Sequence, residues 1–382
     1  MSLILAPAGS SRLQEVAARH RAFWAGEGML RSAGVHTPSL PVSLPQRDGS
    51  RLSHAERLTP DMIDPDAMIA EIEALDLAGA GAAGILAGQY MAYAGRGDTP
   101  PHTCPFSKIP WMEAILGCPI KMTEGQIWAE HYPGDPQEII DRGANVEHNP
   151  WFQLYVEFMR QLNSRLSRRF VVTPNTLLRG VSDLVAAIMG VQEACLGWLD
   201  QPAFMARLLR VCADALLSVW EAGYKLARPA FAGYASSWGL FAPAPIVDTQ
   251  ADHSSLLSPA TYRRHILPFD LEIVRCCPYS LFHLHNNGLH IAPLLIEAPE
   301  ISVIEVFLDP YPAGERKAWD LQMVRLIQQH KPLVLNVNFP SYAEYEWLLG
   351  QIEPRRLLLD VRFSPDAALP ADLPGSETWV LA

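Results

Sequence analysis

Hydrophobic positions follow two different rhythms along this chain. In the C-terminal third, short continuous apolar runs at 279–285, 301–308, 333–339 and 356–363 read as strands. Stretches of helical spacing near 289–297, 315–330 and 342–351 lie between them. Runs that are apolar at nearly every position suit strands covered on both faces, and strand–helix repeats with right-handed crossovers build a parallel sheet. Ser341-x-x-Glu344 is a capping box that starts the last of these helices. Upstream, Asp200-x-Pro202 opens a long helix with Met205, Leu208, Leu209, Cys212, Leu216, Val219 and Trp220 on one face. The runs at 170–173 and 231–235 read as short strands, and Ser258-Pro259 starts a further helix.

The N-terminal part is less regular. Ser10 or Ser11 caps a first helix through Leu13, Val16, Ala17 and Phe23, and the Pro/Gly-rich residues 26–60 read as irregular structure. Asp64-Pro65 opens a helix with Met68, Ile69, Ile72 and Leu75 on one side. Residues 98–150 combine Pro, Trp and His, and read as an insertion packed over one end of the fold. The expected organisation is one domain over 1–382, with 1–75 as an N-terminal extension.

Polar residues recur where each C-terminal strand ends: His283 and His285, Glu305 and Asp309, Asn336 and Asn338, and Asp360. Active sites of (β/α)8 barrels lie at that C-terminal rim. The pattern therefore predicts an α/β fold, a (β/α)8 TIM barrel with an N-terminal helical and irregular extension.

Composition narrows the function classes. Acidic residues outnumber basic ones, 41 to 30, and no Lys/Arg stripe forms, which argues against nucleic acid or an anionic membrane surface as partner. Six cysteines lack any C-x-x-C pair, and the opening residues Met1 to Ala6 lack a basic n-region. No apolar run approaches the length of a membrane span. A reduced, cytoplasmic setting and a small-molecule substrate are expected. Gly79-Ala-Gly-Ala-Ala-Gly84 matches the dinucleotide fingerprint by letter, but a helical run precedes it where a strand is required, so it reads as a close-packed turn.

The stretch Tyr279-Ser-Leu-Phe-His-Leu-His-Asn-Asn-Gly288 concentrates the candidate chemistry. His283 and His285 are two apart, so on a strand both rings point to one face, with Phe282 and Leu284 on the other. They are candidates for acid–base groups, for metal ligands or for hydrogen-bonded core histidines; as a third ligand Glu305 on the next strand is preferred, with Asp252 or His253 as alternatives. Asp252 is a further acid–base candidate. Arg179 could bind a carboxylate through its planar fork, Trp238 could stack on a substrate, and Asn338 could orient one by hydrogen bonds.

Three stretches resemble the uroporphyrinogen decarboxylase superfamily, which also contains corrinoid-dependent methyltransferases. They are Leu178-Arg-Gly-Val-Ser-Asp-Leu-Val-Ala-Ala-Ile-Met-Gly190, Asp248-Thr-Gln-Ala-Asp-His-Ser-Ser-Leu-Leu-Ser-Pro-Ala-Thr-Tyr262 with Ile266-Leu-Pro268 after it, and the 279–288 stretch with its following strand–helix units. In the methyltransferase branch a strand ends in His-x-Cys, which supplies zinc ligands, and a later Cys completes the site. Here His283-Leu-His285 stands in that place and no cysteine follows Cys277. Zinc would then have nitrogen and oxygen ligands of the hydrolytic or lyase type. The decarboxylase branch has an N-terminal Arg-Gln-Ala-Gly-Arg-Tyr; Tyr93-Ala-Gly-Arg-Gly lacks its first arginine and its tyrosine.

The resemblance implies a divergent enzyme acting on a small polar or carboxylated molecule by methyl transfer or by decarboxylation/lyase chemistry. In it Asp252, His283 and His285 would be catalytic and Arg179, Trp238 and Asn338 would bind substrate. A corrinoid protein is a partner in the methyltransferase case. Two alternatives stand beside it: a glycoside hydrolase with Asp252 and Glu305 as its carboxylate pair, and a non-catalytic small-molecule-binding barrel.

Overall fold

Six parallel strands form the central sheet: β1 (Met29–Val35), β2 (Ile246–Gln250), β3 (Tyr279–His285), β4 (Val303–Leu308), β5 (Leu333–Phe339) and β6 (Leu357–Phe363). Their order is β2-β3-β4-β5-β6-β1. The computed structural model describes residues 3–6, 11–36, 41–74, 91–176, 178–229, 233–309 and 315–381. The helices that matter below are α1 (Ser11–Trp24), α2 (Trp111–Leu116), α3 (Val181–Met189), α4 (Pro202–Leu226), α5 (Glu315–His330) and α6 (Tyr342–Leu349). Among the described residues, no helix is long and apolar enough to cross a membrane.

The expected (β/α)8 barrel is not formed among these residues. Its sheet would have to close through eight strands, but the main ladder has six and ends at β2 on one side and β1 on the other. Val171–Val172 bonds to His102–Thr103 in a separate small sheet, and Tyr234–Ala235 pairs only with Phe241–Ala242. The polar rim could not discriminate between the two folds, because open parallel sheets also gather their ligands at the carboxyl ends of the strands. The irregular extension needs correction too. Met29–Val35 is a full strand at the edge of the central sheet, aligned with β6 from Met29↔Leu357 to Val35↔Phe363. Its sequence, MLRSAGV, is broken by Arg, Ser and Gly and gives little of the apolar signal that marks the other strands.

The regular elements form for the reasons their sequences suggest. Along α4, Pro202 occupies the first turn, where its missing N–H costs nothing, and Met205, Leu208, Leu209, Cys212, Leu216, Val219 and Trp220 are all buried. Ser341 caps α6 by accepting a bond from the Glu344 N–H. The Gly79–Gly84 stretch and Leu75 lie outside the described residues.

The two faces of the sheet differ, and the difference positions the site. On β3, Phe282 and Leu284 enter the main helix-covered core, while Leu281 joins a second cluster with Leu30, Ile246, Val303, Val334 and Leu358. Residues two and four further along each strand share that second face. They are Asp248 and Gln250, His283 and His285, Glu305 and Phe307, Asn336 and Asn338, Asp360 and Arg362, and Ser32 and Gly34, all but Phe307 and Gly34 polar. One face of the sheet thus turns from apolar to polar towards the strand ends.

Candidate active site

His283 and Glu305 are register partners on β3 and β4, so their side chains stand side by side on the polar face. The Nδ1 of His283 and the Oε2 of Glu305 form a short hydrogen bond, and both residues are buried. Burial favours a neutral ring, but the charge and hydrogen bond of Glu305, followed by Asp252 and Asp183, outweigh it and hold the His283 pKa above its ordinary value. The second Glu305 oxygen, Oε1, is buried with no partner among the described residues. Its carboxylate therefore acts chiefly on the ring.

On the other side of the imidazole stands Asp252, in the 3-10 turn Asp252–Leu256 that follows β2. Its Oδ1 lies 4.0 Å from the His283 Nε2 and is itself buried without a hydrogen bond. Its Oδ2 accepts from the Gln250 amide at 2.8 Å. Burial, then the nearby Asp183, push the Asp252 carboxyl up. His283 is thus a bridge between two carboxylates, one fully enclosed and one facing the opening.

Asp183 holds this arrangement together from α3. Its carboxylate accepts from the Gln250 amide at 3.0 Å, the His253 N–H at 2.8 Å and the Gly180 N–H at 3.2 Å. Gly180 allows it: a Cβ there would lie 1.6 Å from the Gln250 carbonyl oxygen, inside any tolerable contact. The preceding residue, Arg179, adopts φ +50°, a left-handed conformation unusual for a branched or long side chain. That turn aims its guanidinium at Glu113, with Nε 3.1 Å from Oε1, and leaves Nη1 4.0 Å from the Asp252 Oδ2. Burial works against the arginine's charge, but Glu113, Asp183 and Asp252 together keep it firmly protonated. Arg179 is half-exposed, so its outer edge faces the opening.

Trp238 covers the histidine. Its ring stacks on His283 with centroids 4.5 Å apart and planes 11° from parallel. Beneath it lies a small cavity lined by Thr176, Arg179, Trp238, Asp248, Gln250 and His283. Asp248 accepts two bonds from Ser237, one from its N–H at 2.9 Å and one from its hydroxyl at 2.8 Å. Burial nevertheless raises its carboxyl to about 7.

The second histidine is held differently. His285 Nδ1 lies 2.7 Å from the Asp309 Oδ2, which leaves its Nε2 for a ligand. One ligand atom each from Asp252, His283 and His285 lie within 4.8 Å of one another. Two imidazoles with carboxylates on their Nδ1 atoms, plus a third carboxylate, are an arrangement suited to a zinc-type ion. In that arrangement Glu305 orients His283, whereas the sequence suggests it as a ligand. Asn338 does not join this group: it lines a separate cavity with Asp309, between α5 and α6.

Sequence reasoning misses several participants. Asp183 shows only as a helix-start residue, three residues after Gly180, and Gln250 stands at the end of a strand, Ile246–Gln250, that the apolar pattern does not mark. Glu113 comes from the Trp- and Pro-rich 98–150 region on α2 and shows no local signal at all. Arg96, in the stretch set aside as a poor match, reaches across the sheet to bond Asp360 at 2.8 Å and Ser32 at 2.9 Å. Despite burial, Arg362 and Arg96 hold Asp360 at about 2. No family model and no curated protein matches this chain.

Proposed function

We propose that this chain is an enzyme of the uroporphyrinogen decarboxylase-like kind, acting on a small polar or carboxylated substrate by decarboxylation or related lyase chemistry. The observation that carries the reading is the line Glu305–His283–Asp252 beside Arg179, at the carboxyl ends of a parallel sheet. In it Arg179 pairs with the substrate carboxylate and Trp238 covers the reacting atoms. Departure of CO2 leaves its bonding electron pair on the substrate carbon. Glu305 balances the charge of the protonated ring before the step; a proton from the His283 Nε2 then quenches that carbon and leaves the ring neutral, and a proton from solvent, passed through Asp252, recharges it.

Methyl transfer has less support, because the zinc site that the resemblance implies for it takes cysteine ligands, and no cysteine stands beside His283 among the described residues. Cys276 and Cys277 precede β3 and so sit at its opposite end, and Cys195 pairs with His253 at 3.9 Å. Nothing in the geometry speaks for a corrinoid partner. The glycoside-hydrolase alternative is poorly served too. The imidazole stands between Asp252 and Glu305, and Glu305 is 0% exposed, so the two carboxylates do not flank an open cleft.

A second reading of the same residues is a zinc site held by Asp252, His283 and His285, favoured by the Asp252 Oδ1, which faces His283 but accepts no hydrogen bond among the described residues. When bound, the ion would supply Lewis-acid stabilisation of a developing oxyanion.

The test is CO2 release from a panel of small carboxylated compounds by the full-length protein. Turnover that falls by roughly 10²–10⁴-fold in both His283→Gln and Asp252→Asn supports the reading. Saturable binding with no turnover by the wild type would instead identify a binding protein.

A further inference from the structure

We propose that this chain carries a second binding pocket, between α5 and α6 beyond the ends of β4 and β5, for a small aliphatic amine whose ammonium group pairs with Asp320. The cavity measures about 300 Å³, the lower end of the usual range for small-molecule sites. Asp320 lines it and is only 2% exposed, yet neither of its carboxylate oxygens has a hydrogen-bond partner among the described residues. A buried carboxylate without a donor is costly, and an ammonium group supplies the charge-assisted bonds it lacks.

The rest of the lining selects among ligands. Leu321, Val337 and Phe339 form apolar walls that suit an aliphatic body. Trp347 offers an aromatic face on which a cation already rests, the Lys317 Nζ at 4.3 Å from the ring centroid. That lysine forms no ion pair with Asp320 among the described residues, so the carboxylate stays available. Among the described lining residues an anionic ligand would meet three acids, Asp320, Asp309 and Glu344, against one cation, Lys317, which rests on Trp347. A divalent metal would need several converging oxygens, and only Asp320 among these acids is enclosed. Burial raises the Asp320 carboxyl to about 7, as expected for an acid that lacks its partner. Asp309 forms one wall and also accepts from His285, so an occupant would adjoin the candidate active site. The pocket itself does not depend on the chemistry proposed there.

The test is calorimetric titration of the full chain with butylamine, butanol and butyrate. Butylamine should bind saturably, and Asp320→Asn should weaken it by about tenfold or more, the scale of one charge-assisted bond. Butanol and butyrate should give no saturable binding. Absence of saturable butylamine binding, equal affinity in the variant, or preferential butyrate binding would each overturn the assignment. Asp320→Leu provides the control on folding. Removing an unpartnered buried charge should leave the melting temperature at or above that of the wild type, and a clear fall would assign Asp320 to the fold instead.

Discussion

The indole of Trp238 lies flat on the imidazole of His283, 4.5 Å away and within 11° of parallel. An aromatic face favours a cation above it, by roughly 0.5–2 kcal/mol depending on how dry the contact is. The stack therefore works in the same direction as Glu305, stabilising the protonated ring. Trp238→Leu should lower the His283 pKa relative to the wild type, observable by ring-proton NMR titration. An unchanged or raised value would reduce the indole to a simple cover.

Glu305 should have the larger effect. Burial raises the Glu305 carboxyl while His283 pulls it back down, and the charge it carries is the nearest one to the ring; Glu305→Gln removes that charge while keeping the shape. Burial then dominates, and the His283 pKa should fall below its ordinary value of about 6.5. The same titration decides it: a His283 pKa that stays high in Glu305→Gln would mean that Asp252 and Asp183 alone hold the proton.

Gly180 is a packing requirement. Its ideal Cβ position is 1.6 Å from the Gln250 carbonyl oxygen, so Gly180→Ala must move the turn that carries Arg179 or the end of β2. We expect a loss of about 2 kcal/mol or more in denaturant unfolding, the scale of overpacking. A neutral result would mean that the turn relaxes freely, and the fixed placement of Arg179 would go with it.

Asp248 gives the stability a pH dependence. Its folded pKa of about 7 lies above the ordinary aspartate value of about 3.9, so the folded state binds more protons between the two. Its contribution is fully present below about 3.9 and is lost as pH rises through 7. Asp248→Asn should flatten the decline in unfolding free energy across that window. An equally steep decline in the variant would assign it to another group, such as Asp320, which burial also raises to about 7.

The zinc reading has its own measurement. Protein purified without a His-tag should hold near one equivalent of a transition metal, and the content should drop in His285→Ala and Asp252→Asn. Less than about a tenth of an equivalent with no uptake on reconstitution removes the ion, since a specific site of this donor set binds well below micromolar concentrations of free metal.

Much of this arrangement is legible from local pattern alone. β3 to β6 and the helices between them follow from apolar runs, and the shared face of His283 and His285 follows from the two-residue period of a strand. Whether the sheet closes depends on pairings between distant segments, which no local period encodes. β1 illustrates this: Arg31, Ser32 and Gly34 interrupt its apolar run, and only the fit against β6 makes it a strand. Gly34 is small because the Arg96 guanidinium passes where a Cβ would sit, 2.4 Å from Nη1. The site shows the same division. Asp252 and the histidines stand in a suggestive motif, whereas Glu113 reaches Arg179 from 66 residues away and Asp183 acts through backbone N–H groups that a sequence does not display.

The central claim is that His283 delivers the proton in the reaction. It is tested most directly by measuring the pH dependence of kcat for CO2 release alongside the NMR titration of the His283 ring. The rate should fall as pH rises through the His283 pKa, above 6.5 in the wild type, and both limbs should shift down together in Glu305→Gln. A rate that survives in His283→Gln, or a limb that does not move with the ring's pKa, would contradict it.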